Sequence, residues 1–281
     1  MENGTENSSD DPDKLRIYLL PNLFTGGNLF CGFLAITKIV EADLEPPYPA
    51  IQQALLLILL GCILDLLDGR VARLGGFESP FGREFDSLAD IITFGVAPAF
   101  LVHRVVLKDV FANVPQLGWF IASVYLICGA FRLARFNCLA DMPNQKDDNS
   151  AFLGFPIPAA AGMVASLTLF LMWWEDKDFA QGNWRYLLPV ILLFLSFMMV
   201  SEVKYPSFKK ITWKTRHPFR KMILILLLVG FFAIHWETMI PVTAPIFFTI
   251  YLVYGFVRPR ISAKVRRDLE NAGENEASGE D

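Results

Sequence analysis

Apolar residues in this chain fall into long blocks separated by short polar stretches. The blocks lie at about 18–40, 49–69, 84–106, 117–137, 156–174, 185–202, 221–236 and 239–257. A helix that crosses a bilayer needs about 20 mostly apolar residues. Backbone groups in lipid must be satisfied within the segment, so each block predicts a transmembrane helix. Only His235, Trp236, Glu237 and Thr238 separate the last two. The expected fold class is all-α, a polytopic integral membrane protein. Residues 1–14 read as a disordered acidic tail, 15–257 as one transmembrane domain and 258–281 as a second tail. The start of the chain is acidic and lacks the basic-then-apolar order of a secretory signal.

Cations refine this picture. Lys14 and Arg16 precede the first block; Arg70, Arg73 and Arg83 lie between the second and third. Arg132, Arg135 and Lys146 follow the fourth, a basic run from Lys204 to Lys221 follows the sixth, and Arg258 to Arg267 follow the last. With eight spans all of these fall on one side. The positive-inside rule makes that side cytoplasmic and places both termini there, with the protein in the cell membrane. The basic run reads as a surface for anionic membrane lipids. Composition adds that 53% of the 281 residues are hydrophobic, while the net charge of −4 comes mostly from loops and tails. Cys31, Cys62, Cys128 and Cys138 have no metal-ligand spacing and read as core thiols. Nothing in the pattern suggests nucleic acid as a partner.

The chemistry concentrates in Asp65 to Asp90, DLLDGRVARLGGFESPFGREFDSLAD. An aspartate at mid-bilayer costs about 2.5–3.5 kcal/mol, so four of them call for a compensating cation. Asp65 and Asp68 are about one helical turn apart, as are Asp86 and Asp90. The connection between their helices is short, so the helices are antiparallel neighbours and the two pairs converge. Gly61, Asp65, Gly69 and Arg73 form one ridge beside Asp68 and Ala72, and small residues there leave room for a bulky ligand. Four hard oxygen donors suit Mg²⁺ or Mn²⁺. They have capacity for two ions about 3.5–4 Å apart, the clamp used in phosphoryl chemistry. The competing reading is an acidic helix end paired with Arg70, Arg73 and Arg83.

Two further groups have double readings. Thr25, Asn28 and Gly32 share a face of the first span, as a packing stripe or as the wall of a polar site. Arg132 and Arg135 share a face at the end of the fourth, as snorkelling anchors or as anion binders.

The aspartate stretch resembles the CDP-alcohol phosphotransferase family, whose motif is D-x2-D-G-x2-A-R-x7–8-G-x3-D-x3-D. Asp65, Asp68, Gly69, Ala72, Arg73, Gly82, Asp86 and Asp90 supply every fixed position, with eight residues between Arg73 and Gly82. The runs PNLFTGGNLFCG, FDSLADIITFGVAPA, FRLARFN, FLGFPIPAAA and MVSEVKYPSFK are similar to the bacterial-type phosphatidylserine synthases of that family. A sister group that makes phosphatidylglycerophosphate typically has arginine at the position of Asn28. Thr93 departs from a common serine but keeps the hydroxyl. The resemblance covers about 15–257. It implies a six-helix core, here with about two further helices, usually a homodimer, and two divalent metals on Asp65, Asp68, Asp86 and Asp90. It implies that Gly69, Ala72, Arg73 and Gly82 line the CDP site beside Asp65 and Asp68, with Asp90 as general base. Thr25 and Asn28 are expected to face the same chamber.

The activity implied is transfer of a phosphatidyl group from CDP-diacylglycerol to the hydroxyl of L-serine, releasing CMP. Serine also brings a carboxylate, which a bidentate arginine holds best. Arg132 and Arg135 are the candidates, with Asn137 adding a hydrogen bond and Ser201, Lys204 and Tyr205 in second rank. Glycerol phosphate, inositol or inositol phosphate as acceptor is the alternative within the family. A cation-coupled transporter is the alternative outside it; such proteins often repeat their halves, and no second copy of the aspartate motif is present.

Overall fold

The computed structural model describes residues 18–43, 48–76, 79–140, 151–176, 186–206 and 239–255. Five helices are long and apolar enough to cross a membrane. They are α1 (Leu19–Glu41), α2 (Pro49–Gly75), α3 (Pro80–Val110), α4 (Pro115–Ala140) and α5 (Ile157–Asp176). Two shorter apolar helices follow, α6 (Leu187–Val200) and α7 (Met239–Gly255). The chain is an integral membrane protein. The expected block at 221–236, both tails and the basic run beyond Pro206 lie outside the described residues.

α3 and α5 are the enclosed helices: 67% and 72% of their apolar windows are buried, against 28–39% for α1, α2 and α4. The outer helices turn Leu23, Phe33, Leu60, Ile63, Phe120 and Ile127 outward, as lipid contact requires. The face α1 presents inward is Thr25, Asn28, Gly32, Ala35 and Ile39, a three-and-four repeat of mostly small residues. Small residues let backbones approach. A Cβ on Gly61 of α2 would lie 2.7 Å from Thr93 Cγ2 and 3.0 Å from Asn28 Oδ1, so α1, α2 and α3 meet there without space between them.

Two boundaries differ from the hydropathy blocks. α2 continues past its apolar part to Gly75, because helix geometry persists until Gly76 turns left-handed (φ 65°) and its amide bonds back to Ala72 O. α3 begins at Pro80, earlier than the apolar block. Ser79 is its N-cap, its Oγ accepting from the Gly82 amide at 3.0 Å, and Pro80 occupies the first turn. Both extensions carry the polar aspartate stretch as helix rather than loop. α3 is also interrupted by π-helical turns at Ile91–Val96 and His103–Leu107. The first lies directly after Asp90, and the Tyr125 hydroxyl of α4 donates to its Phe94 carbonyl at 3.1 Å.

A small element that the hydropathy pattern did not announce joins α4, α5 and α6. Strands β1 (Ala151–Leu153) and β2 (Lys204–Pro206) pair antiparallel, Phe152 opposite Tyr205. Three residues per strand are too few for an alternating pattern to register.

Candidate active site

Asp65 and Asp68 project from α2, and Asp86 and Asp90 from α3, at the end of the bundle where these helices are joined. One carboxylate oxygen from each of Asp65, Asp68 and Asp86 lies within 4.8 Å of the others. Asp90 sits a turn deeper, 6% exposed, within hydrogen-bond reach of Asp65. Carboxylates this close repel unless a cation or a shared proton lies between them. Asp86 Oδ1 is buried with no hydrogen-bond partner among the described residues. An orphaned hard oxygen facing two other carboxylates is a donor set that fits a divalent cation.

α1 supports the cluster with two side chains. Thr25 Oγ1 donates to Asp68 Oδ2 at 3.0 Å, and Asn28 Nδ2 donates to Asp90 Oδ1 at 3.2 Å. Both are buried, as the polar-wall reading requires. Asn28 is itself fixed, because Thr93 Oγ1 donates to its carbonyl at 2.9 Å. That bond gives the hydroxyl at position 93 its purpose: it ties the π-helical turn of α3 to α1.

The two arginines of α4 have different surroundings. Arg132 is 6% exposed, and its Nε has no hydrogen-bond partner among the described residues. It acts electrostatically on Asp90 and Asp65. Arg135 turns away to the end of α6: its Nη1 donates to Val200 O at 3.0 Å, and its Nη2 to Ser201 O at 3.3 Å and Met199 O at 3.4 Å. It satisfies carbonyls that a helix end leaves open. Gly154, at φ 80°, completes this clasp. A Cβ there would collide with Met199 O and come within 2.9 Å of Arg135 Nη2. Its amide donates to Val203 O at 2.9 Å, and Phe155 N to Met198 O at 3.0 Å.

Comparison with known proteins bears on the same residues. Residues 18–203 match the CDP-alcohol phosphatidyltransferase family. The chain belongs to that family. It is 36% identical over 244 residues to a Helicobacter pylori protein named CDP-diacylglycerol–serine O-phosphatidyltransferase, covering 86% of this chain and 91% of that one. Proteins of the same name are similar in Bacillus subtilis (37% identity, 68% of this chain and 92% of that one) and Methanocaldococcus jannaschii (34%, 72% and 82%). The CDP-alcohol phosphatidyltransferase motif thus sits at the α2–α3 junction, and α7 lies beyond the matched segment.

Within this family site the residues singled out from sequence separate into groups. Asp65, Asp68, Asp86 and Asp90 come together, with Thr25 and Asn28 bonded to them. Gly69 is open: the nearest atom to a Cβ there is Arg73 Nη1 at 3.7 Å. Gly82 bonds the Ser79 cap, and Ala72 O receives the Gly76 amide. Gly61, by contrast, leaves no room for a ligand; its place is filled by Thr93 and Asn28. Of the residues expected to meet the acceptor, Arg132 acts electrostatically on Asp90 and Asp65. Asn137 Nδ2 donates to Ser87 Oγ at 3.0 Å and approaches Glu84 at 3.4 Å. The Ser201 hydroxyl donates to Met198 O at 2.8 Å, inside its own turn. Lys204 and Tyr205 contribute backbone to β2. Gly154 and Tyr125 were not reached from sequence, since neither carries a distinctive local pattern.

Proposed function

We infer that the chain transfers the phosphatidyl group of CDP-diacylglycerol to the L-serine hydroxyl, giving phosphatidylserine and CMP. The observation that carries this is the convergence of Asp65, Asp68 and Asp86 beside Asp90 and a buried Arg132. The names of the relatives support serine as the acceptor. The lipid donor stays in the bilayer while its diphosphate reaches the helix-end carboxylates. We place this end, and both termini, at the cytoplasmic face on the lysine and arginine bias.

Asp65, Asp68, Asp86 and Asp90 would hold the divalent metal, Mg²⁺ or Mn²⁺ and two ions in our reading. Such ions, when bound, neutralise the diphosphate and the charge of departing CMP. Gly69 leaves the α2 surface open for the nucleotide, with Ala72, Arg73 and Gly82 along the same rim. Asp90 takes the proton of the serine hydroxyl as its oxygen forms a bond to the lipid-side phosphorus. The phosphorus–oxygen bond to CMP breaks, and CMP leaves with that oxygen. Asn28 orients Asp90, and Thr25 orients Asp68. Arg132 holds the serine carboxylate away from the aspartates, which repel it. We take the functional unit to be a homodimer, as the family resemblance implies.

The purified chain in lipid vesicles, given labelled CDP-diacylglycerol and serine, glycerol 3-phosphate, inositol or inositol phosphate, tests this directly. Serine-dependent CMP release that requires Mg²⁺ or Mn²⁺ is expected. Turnover only with another acceptor moves the chain to a sister activity; no turnover with any overturns the reading. Cysteines at Ser8 and Ser278 in a thiol-silent background test the orientation, since an impermeant reagent should label neither in intact cells.

A further inference from the structure

Pro98 interrupts the hydrogen bonding of α3. It has no amide hydrogen, so the Phe94 carbonyl four residues before it cannot close an α-helical bond, and the proline ring crowds that carbonyl. The chain widens here into the π-helical turn Ile91–Val96, in which the Ala97 amide reaches back five residues to Ile92 O. A proline gap alone leaves the form of the turn open. Bonds from two neighbouring helices choose it. On one side the Thr93 hydroxyl donates to Asn28 O at 2.9 Å, and a Cβ on Gly32 of α1 would lie 2.8 Å from Thr93 Cα. On the other side the Tyr125 hydroxyl of α4 donates to the released Phe94 carbonyl at 3.1 Å. Tyr125, Phe94 and Thr93 are all fully buried, so the carbonyl has no bulk water to turn to.

The wide turn sets where the aspartates of α3 point. Each residue of an α-helix advances about 100° around the axis. One extra residue in a turn therefore rotates everything before it by about that angle against everything after it. After the turn, Ala97, Leu101 and Val102 are fully buried and anchor α3 in the core. Directly before it stands Asp90. A regular helix that kept the anchors in place would swing Asp90 away from Asn28 Nδ2, which now meets its Oδ1 at 3.2 Å.

We propose that Tyr125 is a positioning residue for Asp90: its hydroxyl holds the π-helical turn through the Phe94 carbonyl, and the turn keeps the Asp90 carboxylate on Asn28 and in the cluster. This rests on the reading of Asp90 as the general base. A fourth helix thereby sets the aim of a carboxylate that it does not carry.

Tyr125→Phe keeps the ring and removes only the hydroxyl. Steady-state kinetics on the full chain in lipid vesicles should show kcat lowered about tenfold, with KM for serine and for CDP-diacylglycerol within about twofold of the parent. The melting temperature should fall, because a buried carbonyl loses its donor. A merely structural role predicts that fall without the loss of kcat. Adding Pro98→Ala to Tyr125→Phe separates the two further. The new amide can bond the Phe94 carbonyl as in a regular helix, so the melting temperature should return to within about two degrees of the parent while kcat stays low. If kcat returns with stability, the phenol only satisfies a carbonyl and the proposal is overturned; a double variant that stays unstable overturns it as well. Adding Tyr125→Phe to Asp90→Asn should leave the residual kcat within about twofold, and a further tenfold loss would show that Tyr125 acts elsewhere. If Asp90→Asn loses its rate and Tyr125→Phe keeps its own, the positioning role fails while the reading of Asp90 stands. If Asp90→Asn keeps its rate, that reading fails and the role of Tyr125 falls with it.

Discussion

The aspartate cluster and the region around Arg132 and Arg135 are built on different plans. Every aspartate of the cluster comes from Asp65 to Asp90, on two consecutive helices. Their mutual placement follows from the helical repeat and a short connection. The part around Arg132 and Arg135 is assembled from distant pieces: the two arginines on α4, the Gly154 turn and the end of α6. No local repeat links these. The first can be altered by one side chain without disturbing the fold, whereas the second is itself a piece of the fold. The two should therefore break in different ways.

The largest effects belong to the aspartate cluster. Asp68→Asn, Asp86→Asn and Asp90→Asn should each lower kcat by about a thousandfold or more, and double variants should be no worse than singles. Mn²⁺ titration followed by electron paramagnetic resonance separates them. Asp86→Asn should lose binding, because its oxygen lies within 4.8 Å of those of Asp65 and Asp68. Asp90→Asn, outside that trio, should keep most of it. Retention of rate by Asp90→Asn would refute its role as base.

Next in size is the contrast between the α4 arginines. Arg132→Lys should leave the protein as stable as the parent and raise KM for serine about tenfold, because charge survives but the fork does not. Serinol, which lacks the carboxylate, should be a poor acceptor with a smaller relative defect. Arg135→Lys should instead lower thermal stability, by about 2 kcal/mol, since a lysine cannot bond three carbonyls spread over Met199 to Ser201. Gly154→Ala should behave like Arg135→Lys and cost at least as much, since it adds left-handed backbone strain of about 1–2 kcal/mol to the collision. A pure serine KM effect in Arg135→Lys would return that residue to the acceptor site.

These two arginines also mark how far sequence could lead. Three residues apart on one face, they are equivalent by periodicity, and both were expected to bind anions. What distinguishes them is the open end of α6, more than sixty residues away in sequence, which no local pattern encodes. The five long apolar helices, the aspartate cluster and the pairing of Thr25 and Asn28 with it were legible, because each follows from a helical repeat. The π-helical turn after Asp90 and the β1–β2 pair were not, because both depend on tertiary contacts. Gly61 was misread for the same reason. Its spacing matches that of Gly69, and only the approach of Thr93 shows that it serves packing.

The α1 supports should give intermediate losses. Asn28→Ala removes the amide from Asp90 and should lower kcat about tenfold with little change in either KM, through a base that is no longer oriented. Thr25→Val should cost less, because Asp68 keeps its place in the trio. Equal losses would mean that α1 acts on the cluster as a whole rather than through Asp90.

The smallest effect gives the finest separation between packing and chemistry. Gly61 and Gly69 lie on one ridge of α2, eight residues apart. A methyl group at Gly61 would meet Thr93 Cγ2 at 2.7 Å, so Gly61→Ala must push α3 from α2 and should lower thermal stability by about 1–3 kcal/mol. A methyl group at Gly69 would meet nothing nearer than Arg73 Nη1 at 3.7 Å, an ordinary contact with the end of a flexible side chain. Gly69→Ala also exchanges a poor helix former for the best one, which favours the fold by up to about 1 kcal/mol. The free protein should therefore be unharmed or slightly stabilised. Any loss must come from what lies against the α2 surface during turnover. KM for CDP-diacylglycerol should rise several-fold with the serine KM unchanged. If Gly69→Ala leaves both KM values alone, the nucleotide does not use that surface. If it lowers stability as Gly61→Ala does, the glycines of the ridge serve packing throughout.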